Sequence, residues 1–279
     1  MSPPNSATAQ RLGPYSIEVR LATGGQSHLY LGRREGVPDA PLVVLKVHKG
    51  GSLPKARAAL QREANALRAG QHENVVRLIE DVSHGEGSFL VLEHVPGVDL
   101  HQLLTVSATS AAGIPFELAS FIGARVASAL AALHGDERSS TRVFHGDLSP
   151  ANILLSEQGY VRLTDFGLAR IEGSVPDSQT RRSQPPSPAA AVGHRGYMSP
   201  ERLEGSPATA AADVFALGAT LGELLIGRSV FAGEGALARL VSAREGNVEP
   251  LLRQAGRLPE PLVTLCQRML RPSASERPD

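Results

Sequence analysis

Asp147 and Asn152 lie five positions apart on a stretch that Pro150 keeps out of regular structure, and Asp165 follows on a tight Asp165-Phe166-Gly167 turn. A positioned carboxylate can orient a hydroxyl and take its proton. A carboxamide and a second carboxylate are hard oxygen donors of the kind magnesium prefers. Moving a phosphoryl group off ATP needs those three functions together. Lys46 is a fourth candidate. It is the one charge in the apolar run Pro41-Leu42-Val43-Val44-Leu45-Lys46-Val47, which reads as a strand buried on both faces. An ammonium there is costly unless paired; the alternative is an edge lysine that snorkels to water.

The elements that must hold these residues can be read on either side of them. Tyr15-Ser16-Ile17-Glu18-Val19-Arg20-Leu21 alternates as a strand, and His28-Leu29-Tyr30-Leu31-Gly32 reads as its hairpin partner across a Gly24-Gly25 turn. Residues 54–69 read as a helix, with Pro54 near its start, Gly70 closing it, and Leu60 and Leu67 on one face. Phe89-Leu90-Val91-Leu92-Glu93-His94-Val95-Pro96-Gly97 reads as a strand running into a stiff connector. Residues 115–134 give the best amphipathic helix, with Phe116, Ala119, Ile122, Val126, Ala129, Leu130 and Leu133 at helical spacing. Ala212 to Leu225 opens a second hydrophobic helix, in which Asp213 is either a cap or a buried tie. Between Glu172 and Ala191 the chain is rich in Pro, Ser and Arg without periodicity, and is expected to be mobile.

The run His145-Gly146-Asp147-Leu148-Ser149-Pro150-Ala151-Asn152, followed by Asp165-Phe166-Gly167, resembles the eukaryotic-type protein kinase family. The loops of that family read His-Arg-Asp-Leu-x-x-x-Asn and Asp-Phe-Gly. Gly193-His194-Arg195-Gly196-Tyr197-Met198-Ser199-Pro200-Glu201 resembles the end of its activation segment, and Arg268 to Pro278 its closing motif. The resemblance extends from Gly24 to Arg277. It implies an α+β, two-lobed protein kinase-like fold: a tail over residues 1–12, a small β-rich N-lobe over 13–95 and a larger α-helical C-lobe over 96–279. It also implies the roles. Asp147 is the catalytic base, and Asn152 and Asp165 hold Mg2+. Lys46, paired with Glu63, addresses the α- and β-phosphates of ATP. Ala22, Gly24 and Ser27 occupy the three glycine positions of the phosphate-covering loop. Leu92 stands as gatekeeper, the backbone at Glu93 and Val95 meets the adenine edge, and Asp99 reaches the ribose or caps the next helix. Arg277 is expected to pair with Glu201, and Asp213 to tie the catalytic loop. The family has another helix where this chain stops, at Asp279, so a truncated piece is one reading.

Departures from the pattern bear on activity. Only Gly24 survives of the three loop glycines. Gly146 replaces an arginine that meets activation-loop phosphate, so phosphorylation at Thr180, Ser183 or Ser187 is not expected to be the main switch. Ser149 replaces a lysine that neutralises charge on the moving phosphoryl group, so catalysis is expected to be slow. The first reading is a kinase that phosphorylates serine and threonine of protein substrates. Tyrosine fits less well, because residues 148–151 carry no basic residue. The alternatives are a nucleotide-binding pseudokinase and, from the likeness of His145-Gly146-Asp147 and Asn152 to aminoglycoside and choline phosphotransferases, an enzyme acting on small molecules.

Composition narrows the class. With 28 basic and 28 acidic residues among 279 the net charge is zero, which advertises neither nucleic acid nor an anionic membrane. One cysteine, Cys266, in an apolar run, excludes an internal disulfide framework and fits a buried thiol. No secretory leader or uninterrupted apolar span is evident, so a cytoplasmic protein is expected. The Ala-, Arg- and Gly-rich usage suggests a bacterial source.

Overall fold

The structure is a computed structural model that describes residues 10–51, 53–82, 88–108, 114–136, 141–172 and 195–279. The chain divides into two compact units, residues 1–68 with 76–95 and residues 69–75 with 96–279.

The first unit is a six-stranded antiparallel sheet with one helix. Its elements are β1 (Arg11–Leu12), β2 (Tyr15–Thr23), β3 (Ser27–Arg34), β4 (Val43–His48), α1 (Pro54–Ala69), β5 (Leu78–Val82) and β6 (Phe89–Glu93). The spatial order is β1-β2-β3-β4-β6-β5, so β4 is a central strand. Its alternation of Val43 and Leu45 toward Tyr15, Phe89 and Val91 builds the core. Tyr15 and Phe89 meet edge to face at 6.2 Å, a preferred aromatic geometry. The expected tail over residues 1–12 needs correction at its end. Arg11 and Leu12 pair with Ser16 and Tyr15 as strand β1, because the turn at Gly13 returns the chain onto β2. Residues 1–9 lie outside the described residues.

The second unit contains β7 (Gly97–Asp99), α2 (Leu100–Ser107), α3 (Phe116–His134), β8 (Val143–Phe144), β9 (Ile153–Ser156), β10 (Val161–Leu163) and β11 (Arg170–Ile171). Then follow α4 (Pro200–Leu203), α5 (Ala210–Ile226), α6 (Gly235–Glu245), α7 (Glu249–Leu252) and α8 (Glu260–Met269). Short β pairs β10-β9-β7 and β11-β8 carry the loops that matter chemically. At Gly97 the strands come so close that a Cβ would stand 1.9 Å from the Leu155 carbonyl oxygen, which only glycine allows. The segment before β5 docks on this unit through Asn74, whose carbonyl accepts from Leu163 N and whose amide donates to Val161 O.

Helix α3 alone among the described helices has the length and apolarity to cross a membrane. In this fold it is a core helix. Ala119, Ile122, Val126, Ala129, Leu130 and Leu133 are buried, and Gly123 lets it approach Leu221 of α5. Helix α5 is buried along most of its length because it is packed by α3 on one side and α8 on another. Phe215 of α5 stacks on Phe231 at 5.8 Å within a cluster that includes Val230, Val248 and Leu270.

Candidate active site

In the first unit, Lys46 stands on β4 between Leu45 and Val47, and Glu63 is on the buried face of α1 with Leu60 and Leu67. Nζ of Lys46 donates to Oε1 of Glu63 at 2.6 Å, with the two residues 6 % and 3 % exposed. The structure thus brings this pair together, and the snorkelling alternative falls away. Such a pair is held by mutual attraction in a low-dielectric interior, where either charge alone would be costly. Near it, burial first, then Lys46 and Arg62, lowers the proton affinity of His48, whose Nδ1 accepts from Gly50 N. The phosphate-loop candidates form a tight hairpin turn. Gly24 N donates to Ser27 O at 2.9 Å, and Ala22 pairs with Leu29. Leu92 is buried on β6, and Glu93 gives its N–H to Arg77 O while its side chain accepts from Arg77 N. Val95 ends the unit.

In the second unit, the catalytic-loop candidates are fixed by a dense set of bonds. Pro150 starts a single 3-10 turn over Pro150–Asn152, which swings the Asn152 side chain back toward Asp147. Asn152 Nδ2 donates to the Asp147 carbonyl at 2.7 Å and lies 3.4 Å from its carboxylate. That bond uses the amide nitrogen and leaves the amide oxygen as the metal-type donor of Asn152. Asp165 sits at φ 63°, in the left-handed region, and accepts from Gly167 N at 3.3 Å. A short polar side chain tolerates that conformation where a branched one would not. Phe166 beside it is buried and packs edge-on against the His145 ring at 4.8 Å. His145 in turn holds Thr164 O through Nε2 at 3.0 Å. An exposed carboxylate and a carboxamide oxygen are a donor set that fits a hard divalent cation.

Asp213 is the anchor beneath this loop. Its carboxylate accepts from His145 N and Gly146 N, each at 2.8 Å, and lies 3.0 Å from His134 Nε2. The helix cap is Thr209, which accepts from Ala212 N, so Asp213 is a tie and not a cap. Asp99, by contrast, does cap α2, accepting from Gln102 N at 2.8 Å. Arg277 meets Glu201 through both terminal nitrogens at 2.6 and 2.8 Å. Ser149 is buried at 2 % exposure. Thr180, Ser183 and Ser187 lie outside the described residues, as does the chain from 173 to 194.

Three contacts were not legible in the sequence. Arg202 donates to Gly146 O, Tyr197 OH donates to Glu223 at 2.5 Å, and Arg170 donates to Ala208 O. Burial, then the adjoining Glu223, raises the Tyr197 phenol, and burial raises Glu223 itself. Nothing in the local pattern marks these residues, because each partner is supplied by a distant segment.

Comparison with known proteins gives consistent matches. Residues 15–279 match the family described as the protein kinase domain. The serine/threonine-protein kinase PkaA of Streptomyces coelicolor is 37% identical over 278 residues, which cover 95% of this chain and 47% of that protein. The probable serine/threonine-protein kinase PknB of Lactococcus lactis is 31% identical, covering 89% of this chain and 37% of that protein. The tyrosine-protein kinase MasK of Myxococcus xanthus is 27% identical, covering 92% and 39%. The chain therefore spans less than half the length of these relatives.

Proposed function

This chain belongs to the protein kinase domain family, and on that premise we propose that it transfers the γ-phosphoryl group of Mg-ATP to serine and threonine hydroxyls of proteins. The observation that carries the reading is the turn that joins Asp147 to Asn152, a proton acceptor and an oxygen donor locked into one loop. Asp147 orients the acceptor hydroxyl and takes its proton as the oxygen attacks. Asn152 and Asp165 would hold Mg2+, which neutralises charge on the phosphates when bound. Lys46 addresses the α- and β-phosphates, and the buried Glu63 keeps its ammonium directed. The backbone of the Ala22–Ser27 turn covers the phosphates, and the backbone at Glu93 and Val95 meets the adenine. Asp99, already committed to its helix cap, serves the ribose only through the oxygen that the cap leaves over.

The names of the relatives support serine/threonine over tyrosine in number, and the pseudokinase alternative finds no support among them. The family match also speaks against the small-molecule reading, because it takes in the segment with Glu201 and the closing stretch with Arg277. The test is labelled ATP with magnesium and a histone acceptor, using wild type beside Asp147→Ala and Asp165→Ala. Transfer by wild type and by neither variant is expected, with label on phosphoserine and phosphothreonine. Bound ATP with no transfer would overturn the reading, and label on phosphotyrosine would overturn the acceptor.

A further inference from the structure

Gly146 precedes Asp147, so whatever fixes its peptide also fixes the carboxylate that follows. Its φ of +75° lies in the left-handed region, and a Cβ placed there would stand 2.9 Å from the Leu168 carbonyl oxygen and 2.9 Å from Ala208 Cβ. One of these obstacles is backbone, so no rotamer change relieves it. No side chain fits at 146 without displacing the strand that follows the Asp165-Phe166-Gly167 turn. Bracing of this loop beyond what Asp213 gives has to come from elsewhere in the chain.

Arg202 supplies it. Its Nη2 donates to the Gly146 carbonyl at 3.3 Å and its Nη1 to the Ser206 carbonyl at 2.8 Å. The guanidinium therefore spans from the loop carrying Asp147 to the turn between α4 and α5. Burial, chiefly, and Arg170 pull its proton affinity down, while Asp213, Asp147 and Glu201 push it up. A guanidinium keeps its charge under such a pull, so a fixed cation sits among three carboxylates. The cavity beside it, bordered by Gly146, Asp147, Ser199 and Asp213, measures about 20 Å³. That is room for one water and not for a phosphate or a substrate side chain. The arrangement is built to hold a loop and not to capture a ligand.

We propose that Arg202 is the positioning residue of Asp147. It grips the Gly146–Asp147 peptide by its carbonyl and sets a cation beside the loop, giving the order that no side chain at 146 can provide. Its charge opposes the crowding of the half-buried Asp147 and the buried Asp213, and its second bond ties the loop to the turn between α4 and α5. The inference rests on the kinase reading above, in which Asp147 touches the acceptor hydroxyl.

The test is steady-state phosphate transfer to histone by the full chain, with ATP varied, for wild type, Arg202→Met and Arg202→Lys, beside thermal melts of each. Arg202→Met is expected to lower kcat roughly 10- to 100-fold, as misplacement of a catalytic group does, with KM for ATP within about two-fold of wild type. Arg202→Lys is expected to recover most of kcat, because it restores the cation and one donor. Wild-type kcat in Arg202→Met overturns the proposal, and so does an equal loss in the Lys and Met variants. Should Arg202→Met fail to fold, Arg202→Gln makes the same comparison, since it keeps a donor without the charge; full activity there would overturn the charge role. Wild type that transfers nothing brings down the kinase reading and this inference together. Transferring wild type with an unaltered Arg202→Met brings down the inference alone.

Discussion

Lys46 and Glu63 are each nearly inaccessible to water, so removing one takes the opposite charge of this pair from the other. Lys46→Met leaves a buried carboxylate without its cation, and the expected loss of stability is about 3–5 kcal/mol. A second change, Glu63→Leu, removes the remaining charge and should return most of that stability without returning phosphate transfer. Denaturant melts and transfer assays on the single and double variants separate the two effects. Recovery of transfer in the double variant would show that the pair is only structural. Gly146 is a second residue whose demand is local. Gly146→Ala must hold a Cβ at positive φ against the Leu168 carbonyl, a strain of about 1–3 kcal/mol, readable as a lowered melting temperature. An unchanged melt would mean the loop can shift freely. Cys266 is buried, and burial pushes its thiol up to about 12, so it is protonated at neutral pH. A thiolate-seeking reagent is expected to react with it only after unfolding.

Among the elements, α5 does most to organise the second unit, because Asp213 reaches out of its first turn to two consecutive backbone N–H groups. Asp213→Asn offers one oxygen where two are used and points an NH2 at a donor. The expected cost is about 2–3 kcal/mol, the range for a charged hydrogen bond lost in a buried place, with a fall in kcat as the loop loosens. Equal stability and turnover in that variant would remove Asp213 from this role. Helices α1, α3 and α5 were readable in the sequence since their apolar positions recur at helical spacing, and β4 since its run is apolar apart from Lys46. The closeness of Asn152 to Asp147 was foreshadowed by the sequence, because both fall on one short stretch around Pro150. Strand β1 was not, as a two-residue strand has no period to detect. Arg202 was not either: its loop partner lies 56 positions away, and an arginine on a short helix looks like any surface charge until the fold partly buries it. Local order is encoded in neighbouring residues, whereas second-layer bracing depends on which segments the fold brings together.

At the scale of the whole molecule, Arg277 joins segments 66 and 76 positions apart, and its pairing with Glu201 gives that tie a pH dependence. Arg277 uses all five N–H donors of its guanidinium: Nε to Arg271 O, Nη1 to Glu201 and Ala211 O, Nη2 to Glu201 and Pro272 O. It also lies over the Phe215 ring at 4.9 Å. Methionine can fill the space but satisfies none of those acceptors, so Arg277→Met should cost about 3 kcal/mol or more. For a chain of this size that corresponds to a melting temperature lower by roughly 5 °C at pH 7. Lysine should not rescue it, because three donors on a flexible stem cannot serve five acceptors. The pH dependence has a definite sign. Burial raises the Glu201 carboxyl, but Arg277 together with the local hydrogen bonds outweighs it, and the net shift is below the ordinary value of 4.5. A carboxyl whose folded pKa is depressed contributes stability above its unfolded value, and loses it as pH falls through the folded one. The gap in melting temperature between wild type and Arg277→Met is therefore widest at neutral pH and narrows below about pH 4.5, as Glu201 takes up its proton in both. Thermal melts of the two proteins between neutral and acid pH measure that gap. A gap that stays constant across the range would mean that Arg277 acts through its carbonyl bonds and the Phe215 ring alone, with the Glu201 charge adding nothing.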